Sequence, residues 1–189
     1  MHRYESRPGA QGVAPEQWPL ESRIPRTPGK PTLVVVAHPK CTCTRASMEE
    51  LAALMADNPG AVAAHVLFYK PAEAGDEWAE TSLWRTAAAI PGVTVSSDAG
   101  GVEAQRFGGE TSGEVLLYNA AGRLVFHGGI TAVRGQAGVN AGLSSLALLL
   151  EGKGVRTDDH DAGSAAARTS TPVFGCPISL STSSTRPAP

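Results

Sequence analysis

From Thr32 to Ala37 the chain runs Thr-Leu-Val-Val-Val-Ala, a continuous and mostly β-branched stretch bounded by Pro31 and Pro39. Unbroken apolarity of that length predicts a strand buried on both faces, as in a parallel sheet. The period then changes: Met48, Leu51, Leu54 and Met55 recur at helical spacing up to the breaker Asn58-Pro59-Gly60. Thr44 or Ser47 is placed to cap that helix, and Ser47-Met48-Glu49-Glu50 has the form of a capping box. Val62 to Tyr69 predicts a second strand, Glu77 to Ile90 a helix with Trp78 and Leu83 among its apolar positions, and Val93-Thr94-Val95 a third strand. Gly101 to Phe107 suits a short helix. Glu114 to Tyr118, a turn at Asn119-Ala120-Ala121-Gly122, and Arg123 to His127 predict a β-hairpin ending at Gly128-Gly129. A final helix runs from about Asn140 to Glu151. The order β-α-β-α-β-α-β-β-α puts parallel crossovers first and an antiparallel pair last. It predicts an α/β fold: a central mixed sheet flanked by helices on both faces, with a C-terminal hairpin plus helix.

Outside this region the periodicity stops. Residues 1–30 carry Pro8, Pro15, Pro19, Pro25 and Pro28 and read as an irregular N-terminal arm, with Trp18 and Leu20 as its anchors to the core. Residues 31–153 form the domain, and residues 154–189 read as a flexible tail rich in Ser, Thr and Pro at its end. Within that tail Val173-Phe174-Gly175-Cys176-Pro177 is an apolar island suited to docking back on the domain. At 189 residues the chain supports one sizeable core.

Composition removes some functions. Sixteen Lys and Arg stand against 18 Asp and Glu, for a formal charge of -2, and no basic stripe is present to neutralise a phosphate backbone, so nucleic acid is not an expected partner. The longest apolar runs fall well short of the roughly 20 residues of a membrane span. The first residues lack the apolar stretch of a secretory signal, which makes the cytoplasm the default compartment.

Three cysteines rule out a fully paired disulfide framework and point to a reactive or metal-binding thiol. Cys41 and Cys43 fall where the buried strand ends and a helix begins, where free N–H groups and the helix dipole favour a thiolate. Lys40 and Arg45 are expected to lower the thiol pKa further. Cys176 is the remote candidate, either as a resolving thiol or as one end of a permanent bridge. With His38, the three cysteines also offer a soft-metal set suited to Cu(I) or zinc, although Cys-x-Cys with a distant Cys is not a specific zinc spacing. His65 and His127 belong to strands. The glycine-rich loop from Gly128 to Asn140 lacks the Gly-Lys-Ser/Thr ending of a phosphate cradle; its Thr131 and Arg134 either line the thiol site or brace the turn. No cofactor is expected.

His38-Pro39-Lys40-Cys41-Thr42-Cys43-Thr44-Arg45-Ala46-Ser47, Arg106-Phe107-Gly108, Thr111-Ser112-Gly113, Gly128-Gly129-Ile130-Thr131 and Phe174-Gly175-Cys176 together resemble the RedB-type thioredoxin-like proteins, over the stretch from Trp18 to Pro177. The resemblance implies a thioredoxin-like fold, laid out as in TlpA-type thiol-disulfide proteins and peroxiredoxins, with the Cys-x-Cys pair at the first strand–helix turn. It also implies an extracytoplasmic setting, which this sequence departs from by having no N-terminal apolar segment. Where ordinary thioredoxins have a cis-proline opening the hairpin strand this chain has Gly113, and Thr44 stands in place of the second cysteine. Gln136 and Val139 occupy positions where the family has a His and an Asp.

The leading expectation is a thiol-disulfide oxidoreductase acting on a protein or small-molecule disulfide or thiol through Cys41, Cys43 and Cys176, with His38, Pro39, Lys40, Thr44, Arg45, Gly113, Thr131 and Arg134 around them. Spacing does not say which thiol attacks. A peroxidase would need a Thr-x-x-Cys motif, which is missing. A soft-metal protein using Cys41, Cys43, His38 and Cys176, and a non-catalytic thioredoxin-like scaffold, are the alternatives.

Overall fold

A computed structural model describes residues 7–152 and 169–178; residues 1–6 of the arm, residue 153 of the domain, and 154–168 and 179–189 of the tail lie outside the described residues. The elements are β1 (Thr32–Ala37), α1 (Thr44–Asp57), β2 (Ala63–Lys70), a single 3-10 turn (Asp76–Trp78), α2 (Ser82–Ala88), β3 (Val93–Ala99), α3 (Val102–Arg106), β4 (Glu114–Tyr118), β5 (Leu124–Gly129), α4 (Ala141–Leu150) and β6 (Thr169–Ser170). They form one sheet in the order β3-β2-β1-β4-β5-β6. β1 pairs parallel with β2 from Thr32↔Ala63 to Ala37↔Phe68, and antiparallel with β4 on its other side. The mixed sheet with a cysteine turn between β1 and α1 is a thioredoxin-like fold.

The unbroken apolar run of β1 has its reason in two cores. Leu33, Val35 and Ala37 face one side, where Met48, Leu51 and Leu54 of α1, Leu83 and Ala87 of α2 and Leu146 of α4 meet Val66, Phe68, Val115 and Phe126. Val34 and Val36 face the other, against Leu67, Leu116, Tyr118, Ala104 and Phe107. Alternation of side chains across a strand makes both faces of β1 core, so neither can be polar. The second face is closed largely by the N-terminal arm. Ala14 and Ile24 are buried there, and Trp18 sets its ring edge-on to Phe107 and Tyr118. Leu20 is not an anchor: it is fully exposed.

Two local expectations are corrected. The first helix begins at Thr44 with Cys43 at the cap position, and no side chain caps it. Ser47 and Glu50 lie inside the helix and are buried, and the Glu50 carboxylate accepts the Gly138 N–H across the domain instead of closing a capping box. The long helix expected over Glu77 to Ile90 is broken at Thr81, whose backbone is extended and whose hydroxyl donates to the Pro39 carbonyl at 3.0 Å. That bond ties the break to the cysteine turn.

Candidate thiol site

The buried strand β1 ends at Ala37 and the chain turns sharply from His38: Cys41 N–H donates to the His38 carbonyl at 3.0 Å, and Thr44 N–H to the Cys41 carbonyl at 3.2 Å. This turn feeds directly into α1. Cys41 is buried and Cys43 partly exposed. The C-terminal segment returns to the same place. Cys176 Sγ lies 2.9 Å from Cys41 Sγ, and the three sulfurs all lie within 4.8 Å of one another. All three are free thiols.

Ser112, fully buried just before β4, ties these pieces together. Its hydroxyl accepts the His38 N–H at 2.7 Å and meets the Thr44 hydroxyl at 2.5 Å. Its N–H donates to the Cys176 carbonyl at 2.8 Å. Gly113 follows with φ +92°, and a Cβ there would stand 2.8 Å from Ser47 Oγ. Arg134 reaches in from the loop after β5. Its guanidinium donates to the Gly175 carbonyl and to the Arg7 carbonyl at 3.2 Å.

The three thiols are electrostatically unequal. Burial pushes Cys41 up, but hydrogen bonds from Cys176 and Thr44 outweigh it and hold the thiol below its ordinary value of 9.0. Burial, its hydrogen bond with Cys41 and the charge there push Cys176 up to about 12, with Arg134 opposing. Cys43 is also raised, by burial and then by the charge on Cys41, again against Arg134. Of the three thiols, Cys41 is therefore the one whose ionised form is favoured, and Cys176 the one most strongly held protonated.

The remaining residues expected around the thiols are distributed as follows. Pro39 is buried and Thr131 is buried in the loop below. Lys40 points its ammonium over the Trp78 ring, 4.2 Å from the centroid, and Arg45 is exposed on α1. Neither cation accounts for the lowered Cys41; the hydrogen bonds do. His38 is spent on structure: its Nδ1 accepts the Lys40 N–H at 3.2 Å, and its ring stacks on Tyr69 at 5.7 Å and meets the edge of Trp78 at 5.6 Å. Burial, then Lys40, lower its pKa. Among the described residues the sulfurs close enough to share a soft ion are those of the three cysteines, and His38 is not grouped with them.

Two further residues carry structural weight at the site. Ser112 is one; Glu114, fully buried on β4, is the other. Its Oε1 meets His127 Nε2 at 2.5 Å, while Oε2 accepts the N–H groups of Glu110 at 2.8 Å and Thr111 at 3.1 Å. The signal in the sequence is a carboxylate opening an otherwise apolar strand, with a histidine on the paired strand.

No protein-family model matches the chain, and no curated protein matches it. Among solved structures, it is similar to a hypothetical protein of Sinorhizobium meliloti, with a TM-score of 0.60 and 20% identity over 93% of this chain and 97% of the other. It is similar also to an uncharacterized conserved protein of Geobacillus kaustophilus, with a TM-score of 0.61 and 17% identity over 94% of both chains. A thioredoxin-like protein in its oxidized form matches with a TM-score of 0.49 and 16% identity, over 82% of this chain and 99% of that one. For the Sinorhizobium and Geobacillus proteins, at these identities, the likeness is one of fold.

Proposed function

We propose that the chain is a thiol-disulfide redox protein of the RedB type, in which Cys41 attacks and Cys176 resolves. The 2.9 Å approach of Cys176 Sγ to Cys41 Sγ supports this reading above all. The Cys41 thiolate attacks one sulfur of a partner disulfide, forming a mixed disulfide and releasing the partner's other sulfur as a thiolate, which takes up a proton. Cys176, losing its proton, then attacks Cys41 Sγ. A Cys41–Cys176 disulfide forms and the partner leaves as its second thiol, so the partner gains the two electrons that the protein loses. Cys43, partly exposed and next to Arg134, is the third thiol within reach and serves as a second resolving group.

Single-turnover reduction of a model disulfide by the reduced protein tests this assignment. Cys41→Ser falls to the uncatalysed background. The double variant Cys43→Ser/Cys176→Ser, with no resolving thiol left, still attacks and accumulates the mixed disulfide, which mass spectrometry detects. Equal rates in wild type and Cys41→Ser would sink the mechanism.

A second reading, soft-metal binding, is favoured by the three clustered sulfurs, a donor set suited to Cu(I) or zinc. Metal analysis of the protein after exposure to each ion under reducing conditions checks it. A stoichiometric ion retained by wild type and lost in both Cys41→Ser and Cys43→Ser supports it, and no retained ion removes it.

A further inference from the structure

An extended segment laid against an open backbone edge exchanges main-chain hydrogen bonds with it, and its side chains then decide which sequences fit. The stretch leading into β4 offers such an edge, and the chain's own C-terminal segment occupies it. Ser112 N–H donates to the Cys176 carbonyl at 2.8 Å, Ile178 N–H donates to the Glu110 carbonyl at 2.9 Å, and Thr111 and Pro177 pair antiparallel between them. From behind, the buried Glu114 carboxylate takes the N–H groups of Glu110 and Thr111, so the groups left facing outward are those the segment uses.

This occupant holds a sulfur where a partner's sulfur must stand. Cys41 is only 5% exposed, and the atom over it is Cys176 Sγ at 2.9 Å, in non-covalent contact. A partner disulfide in line with Cys41 needs the same place. Side-chain fit is narrow as well. A Cβ at Gly175 would fall 1.7 Å from the Ser112 carbonyl oxygen, which admits only glycine before the cysteine. Two residues past the cysteine, Ile178 is buried in the second core beside Tyr69. Next to it lies a cavity of about 410 Å³ lined also by Gly101, Gln105 and Pro177.

From these contacts we infer that residues 175–178 are a resident stand-in for the partner. The edge at Glu110–Ser112 binds an extended protein segment in which a cysteine is preceded by glycine and followed, two positions on, by a branched aliphatic residue. Naming that segment as the redox partner rests on the thiol-exchange reading; the docking itself does not. Arrival of the partner unseats the tail, and the tail's return brings Cys176 back against Cys41.

The test uses a fluorescent synthetic peptide spanning residues 171–178 with serine in place of Cys176, titrated into the full-length chain. Two substitutions unseat the tail by different means, Gly175→Val by collision with Ser112 and Ile178→Asp by removing its apolar anchor. Both variants are expected to bind the peptide at least about tenfold more tightly than wild type, and to alkylate at Cys41 at least about tenfold faster. A peptide with valine in place of its glycine loses binding. No binding to either variant, or equal binding to variants and wild type, overturns the assignment. Where a variant does not fold, hydrogen exchange on wild type decides: the Ser112 and Ile178 amides exchange about tenfold or more faster than Val35 if the tail leaves locally, and equal protection overturns the proposal. Because the serine peptide has no thiol, binding without any disulfide reduction would remove the redox reading and leave the docking edge standing.

Discussion

At Cys41, burial and hydrogen bonding pull in opposite directions, and the donors Cys176 and Thr44 decide the outcome. Alkylation of Cys41 should therefore follow a midpoint below 9.0, and Cys176→Ala or Thr44→Val should move that midpoint up; profiles unchanged in both variants would show that these donors do not set it. Backbone conformation makes a second demand at Gly113, where φ is +92° and Ser47 Oγ stands in the way of a Cβ. Gly113→Ala should cost about 1–3 kcal/mol in urea unfolding. Reading residues in sequence recovers what spacing and type encode. Cys41 and Cys43 fall at a strand–helix turn, and the apolar island marks Cys176 as able to return. The same reading gives too much to Lys40 and Arg45, because a cation near in sequence turns outward to Trp78 or to solvent. Ser112 is harder to place because its partners His38, Thr44 and Cys176 lie far along the chain, whereas Glu114 leaves a trace as a carboxylate opening an apolar strand.

Elements whose burial is written in their own period are legible. β1 matches its apolar run from Thr32 to Ala37 because both its faces meet core. Boundaries set by distant contacts are not. Thr81 breaks a helix-like stretch because its hydroxyl serves Pro39, and β6 forms because the tail finds the edge of β5, neither of which a local pattern contains. The start of α4 joins both kinds of information. Asn140 caps it by accepting the Leu143 N–H at 2.8 Å, and its amide also donates to the Ile130 carbonyl at 2.8 Å and to that of Gly138 at 2.9 Å. Asn140→Ala removes the cap and strands a buried carbonyl, for an expected loss of about 2 kcal/mol or more in urea unfolding. Asn140→Asp keeps the acceptor but not the donors and should fall between. Equal stability of Asn140→Ala and wild type would mean that the cap contributes nothing.

For the whole molecule, the buried titratable groups bound a stable pH window. Burial holds His38 and His65 below 6.5. The unfolded chain therefore takes up protons that the native state refuses once the pH falls below 6.5, and stability declines from there. On the alkaline side Cys176, at about 12, and Cys43, raised by burial, give up their protons later in the native state than unfolded thiols, which ionise near 9.0. Both contributions are lost as the pH rises past 9.0. Cys41, lowered, works the other way, and its contribution is complete above 9.0. With two thiols against one, denaturant unfolding across pH should show stability greatest between about 6.5 and 9.0 with a fall on each side; stability still rising above pH 9.0 would contradict it. The contact that completes the thiol cluster has a consequence in time. Cys41 and Cys176 stand 135 positions apart, and pairings so distant in sequence form late. A growing chain has made its cysteine turn, sheet and hairpin before Cys176 exists, so the newborn protein passes through an interval with the Cys41 sulfur uncovered and without its Cys176 donor. Its exposure to stray oxidants is greatest before it is finished.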